Sequence, residues 1–448
     1  MILGPTFAEM RDPSLVHAGI RARLADADEL DPVRLFDMRW VQDDGSVRAW
    51  VVPPALSGVD ATIAVLLGDH FPTGAHKVGP AYSCLIEEAL TGDLDPERHT
   101  LVFPSTGNYG IGGAWVGPRM GFKSLVVLPE EMSAERFDKI RAYGADIIAT
   151  PGCESNVKEI YDEVARLRAR PEIRVLNQFE AWGNYRFHRG VTGPAAELLA
   201  GQLGFDRVAA FVSAMGSAGT IAAGDHLKAQ GGTAIVGVEP VQCPTLYNVG
   251  YGGHRIEGIG DKHVTWIHNV QNMDLLCCID DDSCVRLLQL LQEGGDVLKE
   301  VAGLTDHDLA AFQGHLGVSG LCNLLAAIKS AKALSLGGDD LLVTVATDGF
   351  DRYPSVLRAL DEREGPQTRE LALQRLGTLR SVGTDWVQEG TRQARERWHN
   401  QKYFTWVEQQ GKSLEELDAL RDPTFWDQQV DKIPEIDAGI LEVRSTLA

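Results

Sequence analysis

The sequence predicts an α/β protein: parallel-rich sheets covered on both faces by helices, followed by a helical C-terminal extension. Three observations predict it. Short apolar runs alternate with helix-like stretches between residues 61 and 345. The loops that follow those runs are unusually rich in Gly, Ser, Thr and Asn. Beyond residue 361 the strand signal stops, and Arg/Glu/Gln-rich segments with interspersed aromatics take over.

Residues 1–60 read as a mixed lead-in, with helix-like turns from Ala18 to Leu30 and a strand-like run from Val47 to Val52. The run from Ala61 to Leu67 predicts a buried strand that delivers the turn Phe71 to Pro80 and a small-residue helix from Ala81 to Leu90. Thr100–Phe103, Ser124–Leu128 and Asp146–Ala149 predict three further strands, with helices following over 133–143 and 156–168. Val208–Val212, Thr233–Val238 and Leu341–Val345 predict three more. Strands separated by helices run parallel and are buried on both faces, so ligands bind where the loops gather at their carboxyl ends. In the tail, 385–410 and 413–420 read as helices, the latter opened by a Ser413…Glu416 capping box. Its Trp and Phe residues need a surface, and packing on the parent domain or a twin subunit is expected ahead of a separate binding module.

At 448 residues the chain has room for two or three domains. We expect a lead-in over 1–60, a small domain over 61–175, a large phosphate-binding domain over 176–360 and the extension over 361–448. A hydrophobic fraction of 44% and a charged fraction of 23% are those of an ordinary globular protein. The net charge of −21 argues against nucleic acid or an anionic membrane as the main partner, because both need a basic footprint. Seven scattered cysteines show no CxxC and no Cys/His spacing typical of zinc, so no metal is expected. Their odd number, with no secretory signal and no apolar run of membrane-spanning length, places the chain in a reducing cytoplasm.

Four stretches carry chemistry. Lys77 follows a Gly/Pro-rich turn and precedes a helix start. A lysine amine whose charge is destabilised by burial becomes a nucleophile that condenses with aldehydes. Ser213 to Thr220 (Ser-Ala-Met-Gly-Ser-Ala-Gly-Thr) lies between a buried strand and a helix; its glycines turn N–H groups inward at a helix N-terminus, which makes a phosphate cup. It is neither a Walker loop nor GxGxxG. Ser105 to Tyr109 is a second strand-to-helix loop whose N–H and hydroxyl groups suit a carboxylate, although an N-cap with an Asx turn reads the same way. Thr347 and Asp348 stand at the end of a strand, where either could meet a pyridine nitrogen.

Taken along the chain as lysine turn, carboxylate loop, phosphate cup and post-strand residue, these stretches resemble the fold type II pyridoxal-phosphate enzymes. Thr73 to Lys77 is similar to the cofactor-lysine motif of the tryptophan synthase β subunit. Ser105 to Asn108 resembles the substrate-carboxylate loop of cysteine synthase and cystathionine β-synthase. Asn177, Gln178 and Phe179 with Asn184, His188 and 192–194, together with 257–260 and 317–320, resemble further stretches of the same enzymes. The likeness covers about residues 60–355. It implies two three-layer αβα domains, pyridoxal 5′-phosphate as cofactor and a homodimer acting on a small amino acid. Lys77 would form the internal aldimine and move the α-proton. Gly216, Ser217, Ala218, Gly219 and Thr220 would hold the phosphate, with His76 nearby, and Asn108 would bond the ring hydroxyl oxygen. Ser105, Thr106 and Gly107 would take the substrate carboxylate, beside Tyr109 and Gln178. The stretch from Glu257 through Gly258, Ile259 and Gly260 would close over the substrate.

The implied activity is β-elimination or β-replacement on a serine- or cysteine-like amino acid through a bound aminoacrylate. Asp261, His263 and Tyr109 are the candidates for protonating the leaving group. Deamination of the threonine-dehydratase or diaminopropionate-ammonia-lyase kind is the alternative, favoured if Asp348 meets the ring nitrogen. A cofactor-binding scaffold with a partner-binding tail is the other.

Overall fold

The computed structural model describes residues 4–105, 107–152 and 156–447. Its strands are β1 (Ala49–Val51), β2 (Thr62–Leu67), β3 (Thr100–Pro104), β4 (Lys123–Pro129), β5 (Asp146–Thr150), β6 (Ile173–Val175), β7 (Ala210–Ala214), β8 (Ala234–Pro240), β9 (Leu275–Ile279), β10 (Leu341–Ala346) and β11 (Val387–Glu389). They form two sheets, one in the order β1-β2-β10-β7-β8-β9-β11 and one in the order β5-β4-β3-β6. The smaller sheet is parallel throughout, and in the larger only the edge strands β1 and β11 run antiparallel. Every residue of β10 is buried, as a central strand covered on both faces requires.

Three expectations need correction. β2 pairs with β10, so residues 62–67 belong to the larger sheet and not to the smaller unit assigned to 61–175. β6 and β9 were not foreseen; Leu275–Ile279 is a fully buried strand. The tail is not purely helical, because β11 adds an antiparallel edge to β9. Three residues with a polar centre, Val387–Glu389, satisfy an open edge without any apolar run to betray them.

The rest of the tail packs on its own chain, as anticipated. Trp398, Trp406 and Trp426 are buried. The final helix (Ile433–Leu447) closes on the N-terminal segment: Asp437 accepts the N–H groups of Phe7 (2.7 Å) and Ala8 (3.1 Å), and Arg444 pairs with Glu9. Among the described residues no helix is long and apolar enough to cross a membrane.

Candidate active site

The Lys77 turn is stitched to the end of β10. His76 N donates to Thr347 O (3.1 Å), and Ala75 and Asp348 form an isolated antiparallel bridge. The strand that carries Thr347 therefore also sets where Lys77 stands. Thr73 holds a left-handed φ of 71°, and its carbonyl accepts from Arg352 and from Lys139 (3.3 Å), which fixes a turn its own backbone disfavours. Lys77 Nζ donates to Ser217 Oγ (3.0 Å). Burial lowers the amine to about 8, against the opposing pull of the Asp261 charge. At that value a sizeable fraction is neutral and nucleophilic near neutral pH.

The loop after β7 has the form of a cup. Ala218 takes a left-handed φ of 57°; the first N–H groups of the helix Ala222–Gly231 that follows turn back onto Gly219 O, Thr220 O and Ile221 O, while those of 216–221 have no acceptor among the described residues and remain available to an anion. A Cβ on Gly219 would stand 2.0 Å from Asn184 Oδ1, so only glycine lets that amide close on the cup. Asn184 Nδ2 donates to Ser217 Oγ (3.0 Å) while its Oδ1 has no partner among the described residues. His76 approaches Thr220 Oγ1 at 3.4 Å; burial and the charge of Lys77 hold its pKa well below the usual imidazole value, so it is neutral.

At the other loop the geometry departs from expectation. Ser105 Oγ accepts the N–H groups of Gly107 (2.9 Å) and Gly110 (2.8 Å). The Gly107 N–H, expected to face the substrate carboxylate, thus turns onto Ser105, whose Oγ also takes the first-turn N–H of Gly110 in the helix Asn108–Arg119, and Ser105 retains only its own O–H for a ligand. Thr106 lies outside the described residues. Asn108 sits in a network that was not foreseen: its Oδ1 accepts from Arg136 Nη1 (2.9 Å) and Arg352 Nε (3.0 Å), and its Nδ2 donates to Asp348 Oδ2 (2.6 Å). Two guanidinium donors on the oxygen fix which end of the amide is which, and leave one N–H of Nδ2 to serve a ring oxygen. A Cβ on Gly107 would lie 2.5 Å from Arg136 Nη1, so the buried guanidinium needs a glycine beside it. Arg136 also pairs with Glu257 and donates to Tyr353 OH (3.1 Å), and Tyr353 OH donates to Asp348 Oδ2 (2.9 Å). Arg136 reads in the sequence as one cation of a charged surface helix, and nothing local distinguishes it.

These elements line a narrow cleft. Of the predicted residues, Lys77, Ser105, Gly107, Asn108, Tyr109, Gln178, Ser217, Gly258 and Thr347 line it, joined by Ser319 at the start of the helix Val318–Ala333. Asp348 is fully buried and held by Asn108 and Tyr353, so Thr347 is the post-strand residue that faces the cleft. The Ile259 side chain turns into the core with Val236 and Val238 and anchors its loop.

The three candidate proton donors separate clearly. Tyr109 OH donates to Leu176 O (3.1 Å), and burial pushes its pKa well above the usual phenol value. His263 meets Tyr161 OH at 2.9 Å, and burial lowers it to about 3, so it is a neutral packing residue. Asp261 is buried, and neither carboxylate oxygen has a partner among the described residues. Burial raises it to about 7, against the lowering effect of Lys77.

Residues 53–348 match the model of the pyridoxal-phosphate dependent enzyme family. The chain belongs to that family. It is 29% identical over 297 residues to the cysteine synthase of Staphylococcus aureus, covering 66% of this chain and 88% of that protein. It is 30% identical over 293 residues to a probable cysteine synthase of Bacillus subtilis, covering 63% of this chain and 85% of that protein. The fold resembles the crystal structure of Entamoeba histolytica cysteine synthase with a TM-score of 0.60 at 22% identity, covering 76% of this chain and 92% of that one. As a pyridoxal-phosphate dependent enzyme the chain needs a site for an aldehyde, a pyridine ring and a phosphate. The residues fit. They supply a depressed lysine amine, loop N–H groups over 216–221 without an acceptor among the described residues, and an oriented amide at Asn108.

Proposed function

We propose that this enzyme catalyses β-elimination or β-replacement on a serine- or cysteine-like amino acid. Pyridoxal phosphate, when bound, supplies the aldehyde and the electron sink. Lys77 holds that aldehyde, and its amine takes and returns the proton at the substrate Cα. Gly216 to Thr220 bind the phosphate, Asn108 donates to the ring oxygen and Thr347 faces the ring nitrogen, with Asp348 orienting Asn108 from behind. Ser105 O–H and Gln178 address the substrate, and the loop 257–260 excludes water above it.

The observation that carries this reading is Asp261. A buried carboxyl with no partner, raised to about 7 and close enough to Lys77 for each to shift the other, is a second proton carrier beside the lysine. A hydroxyl or thiol departing from the β-carbon is protonated as it leaves, and a carboxyl beside Lys77 can deliver that proton while the lysine keeps the one taken from Cα; an acetate group leaves without it. In replacement the same carboxylate then accepts the proton of the incoming nucleophile.

The test is to supply the loaded enzyme with O-acetylserine and sulfide, then with serine, cysteine, threonine or diaminopropionate alone. A replacement product or a keto acid with ammonia is expected. If none forms from any of them, the reading fails. The homodimer that the resemblance implies is part of it, and light scattering showing a monomer would remove that part.

A further inference from the structure

The extension lies outside the stretch matched by the family, which ends at residue 348, yet it reaches the segment that carries Asp261. Between residues 261 and 268 the chain runs without a strand neighbour, and its polar groups are satisfied from two sides. On one side Thr265 Oγ1 donates to Ser217 O (2.9 Å) in the phosphate cup, and Trp266 N donates to Phe179 O (2.9 Å). On the other side three alternate carbonyls face the extension. Val264 O accepts from Trp406 Nε1 (2.8 Å), and Lys402 Nζ donates to both Trp266 O (2.8 Å) and His268 O (2.7 Å).

Lys402 is fully buried, and burial holds its pKa well below the usual ammonium value. No carboxylate lies within ion-pair distance among the described residues; its remaining contact is the face of Trp426, 5.6 Å from the ring centroid. Burying an amine without a counter-ion is costly, and two carbonyls and one ring use its three N–H groups. Trp406 stacks edge-on with Tyr161 and at an angle with Trp266 and His263, closing the wall on which the segment rests. Asp261 itself is tied only through its backbone, where its carbonyl accepts from Thr245 Oγ1 (2.9 Å). Before it, Gly260 is held by Met215 O and His254, so the position of its unpartnered carboxyl depends on that anchor and on how firmly 262–268 is held.

We propose that the C-terminal extension is a working part of the active site, with Lys402 as the positioning residue that holds the 261–268 segment and, through it, the Asp261 carboxyl against the substrate. The proposal rests on the acid–base role assigned to Asp261. Loosening the segment admits water to the carboxyl and moves it away from the departing group. The ionisable groups that share its field are Lys77, Tyr161 and Cys243.

The test compares three variants of the full-length, cofactor-loaded enzyme. K402M keeps the stem and removes the donor; W406F keeps an aromatic ring and removes one N–H; D261N removes the acid. K402M is expected to lower kcat about tenfold with KM changed less than about threefold, and W406F to do the same more weakly. In both, the limb of the kcat–pH profile that D261N abolishes should move to lower pH, a shift that a purely structural contact would not produce. If K402M fails to fold, the W406F profile decides. A folded, loaded K402M or W406F with the parental kcat, KM and pH profile, beside a crippled D261N, overturns this inference alone. A D261N enzyme with parental kcat overturns the assignment of Asp261 and this inference with it.

Discussion

Two sets of buried ionisable groups gather around two residues of the cleft, Asn108 and Lys77, and the fold treats them in opposite ways. Around Asn108, the cations Arg136 and Arg352 and the anions Asp348 and Glu257 are hydrogen-bonded to one another or to the amide and phenol between them. Around Lys77, the amine has a hydroxyl for a partner and Asp261 has none among the described residues. Paired charges act as a rigid frame. Unpaired ones are displaced towards neutrality, which suits groups that must trade protons near pH 7. The difference teaches where the chemistry sits: the frame is the paired cluster, the reacting groups the unpaired one.

The sharpest break is Lys77→Ala. Activity should fall by at least about 10³-fold and the visible band of the loaded protein should vanish, read by absorbance and steady-state assay. Second, Asp261→Asn should lower kcat by about 10²-fold while making the protein more stable. The folded carboxyl sits at about 7 against an ordinary 3.8, so between those pH values the folded state holds a proton that the unfolded chain has released. Wild-type stability is thereby lost as pH rises through that window, on the order of 1.4 kcal/mol per unit at most. Melting curves of wild type and D261N should coincide near pH 4, separate towards pH 7 and stay apart above it; a constant gap would place the carboxyl in water. Third, Arg136→Met breaks the paired set instead. It should cost about 3 kcal/mol in urea unfolding by leaving Glu257 without its cation, with a smaller loss of kcat than D261N. If Arg136→Met cripples turnover as deeply as D261N, the division between frame and reactive pair is wrong. Smallest, Thr347→Ser should leave kcat within about threefold, since the hydroxyl is retained, whereas Thr347→Val should weaken cofactor retention on dialysis.

How much of this was legible in the sequence follows the same division. The cup from Ser213 to Thr220 and the Lys77 turn were legible because each is contiguous: strand, glycine-rich loop and helix start succeed one another. Thr347 was left beside Asp348 because adjacent residues after a strand point different ways, and only the packing of Tyr353 and Asn108 chooses between them. Arg136 was not legible, because its partners Asn108, Glu257 and Tyr353 lie far from it along the chain. Asp261 was named as a candidate but could not be ranked, since having no partner is a property of three-dimensional surroundings. The Ser105 loop shows the converse, a motif that reads equally as ligand nest or helix cap and in which the Ser105 hydroxyl takes the second part.

The helix Ala134–Ala142 carries one more consequence. Along it, Glu135 accepts from Ser355 N and Oγ, Arg136 donates to Tyr353, and Lys139 pairs with Asp351 at 2.6 Å, so it is buttoned at three points to the loop that follows β10 on the opposite sheet. A ligand too wide for the gap must undo that row before it enters. The Lys139–Asp351 button is partly exposed to solvent, hence screened by electrolyte. Capture of bulky ligands should accordingly quicken as salt is added, the reverse of what simple charge attraction to a binding site produces.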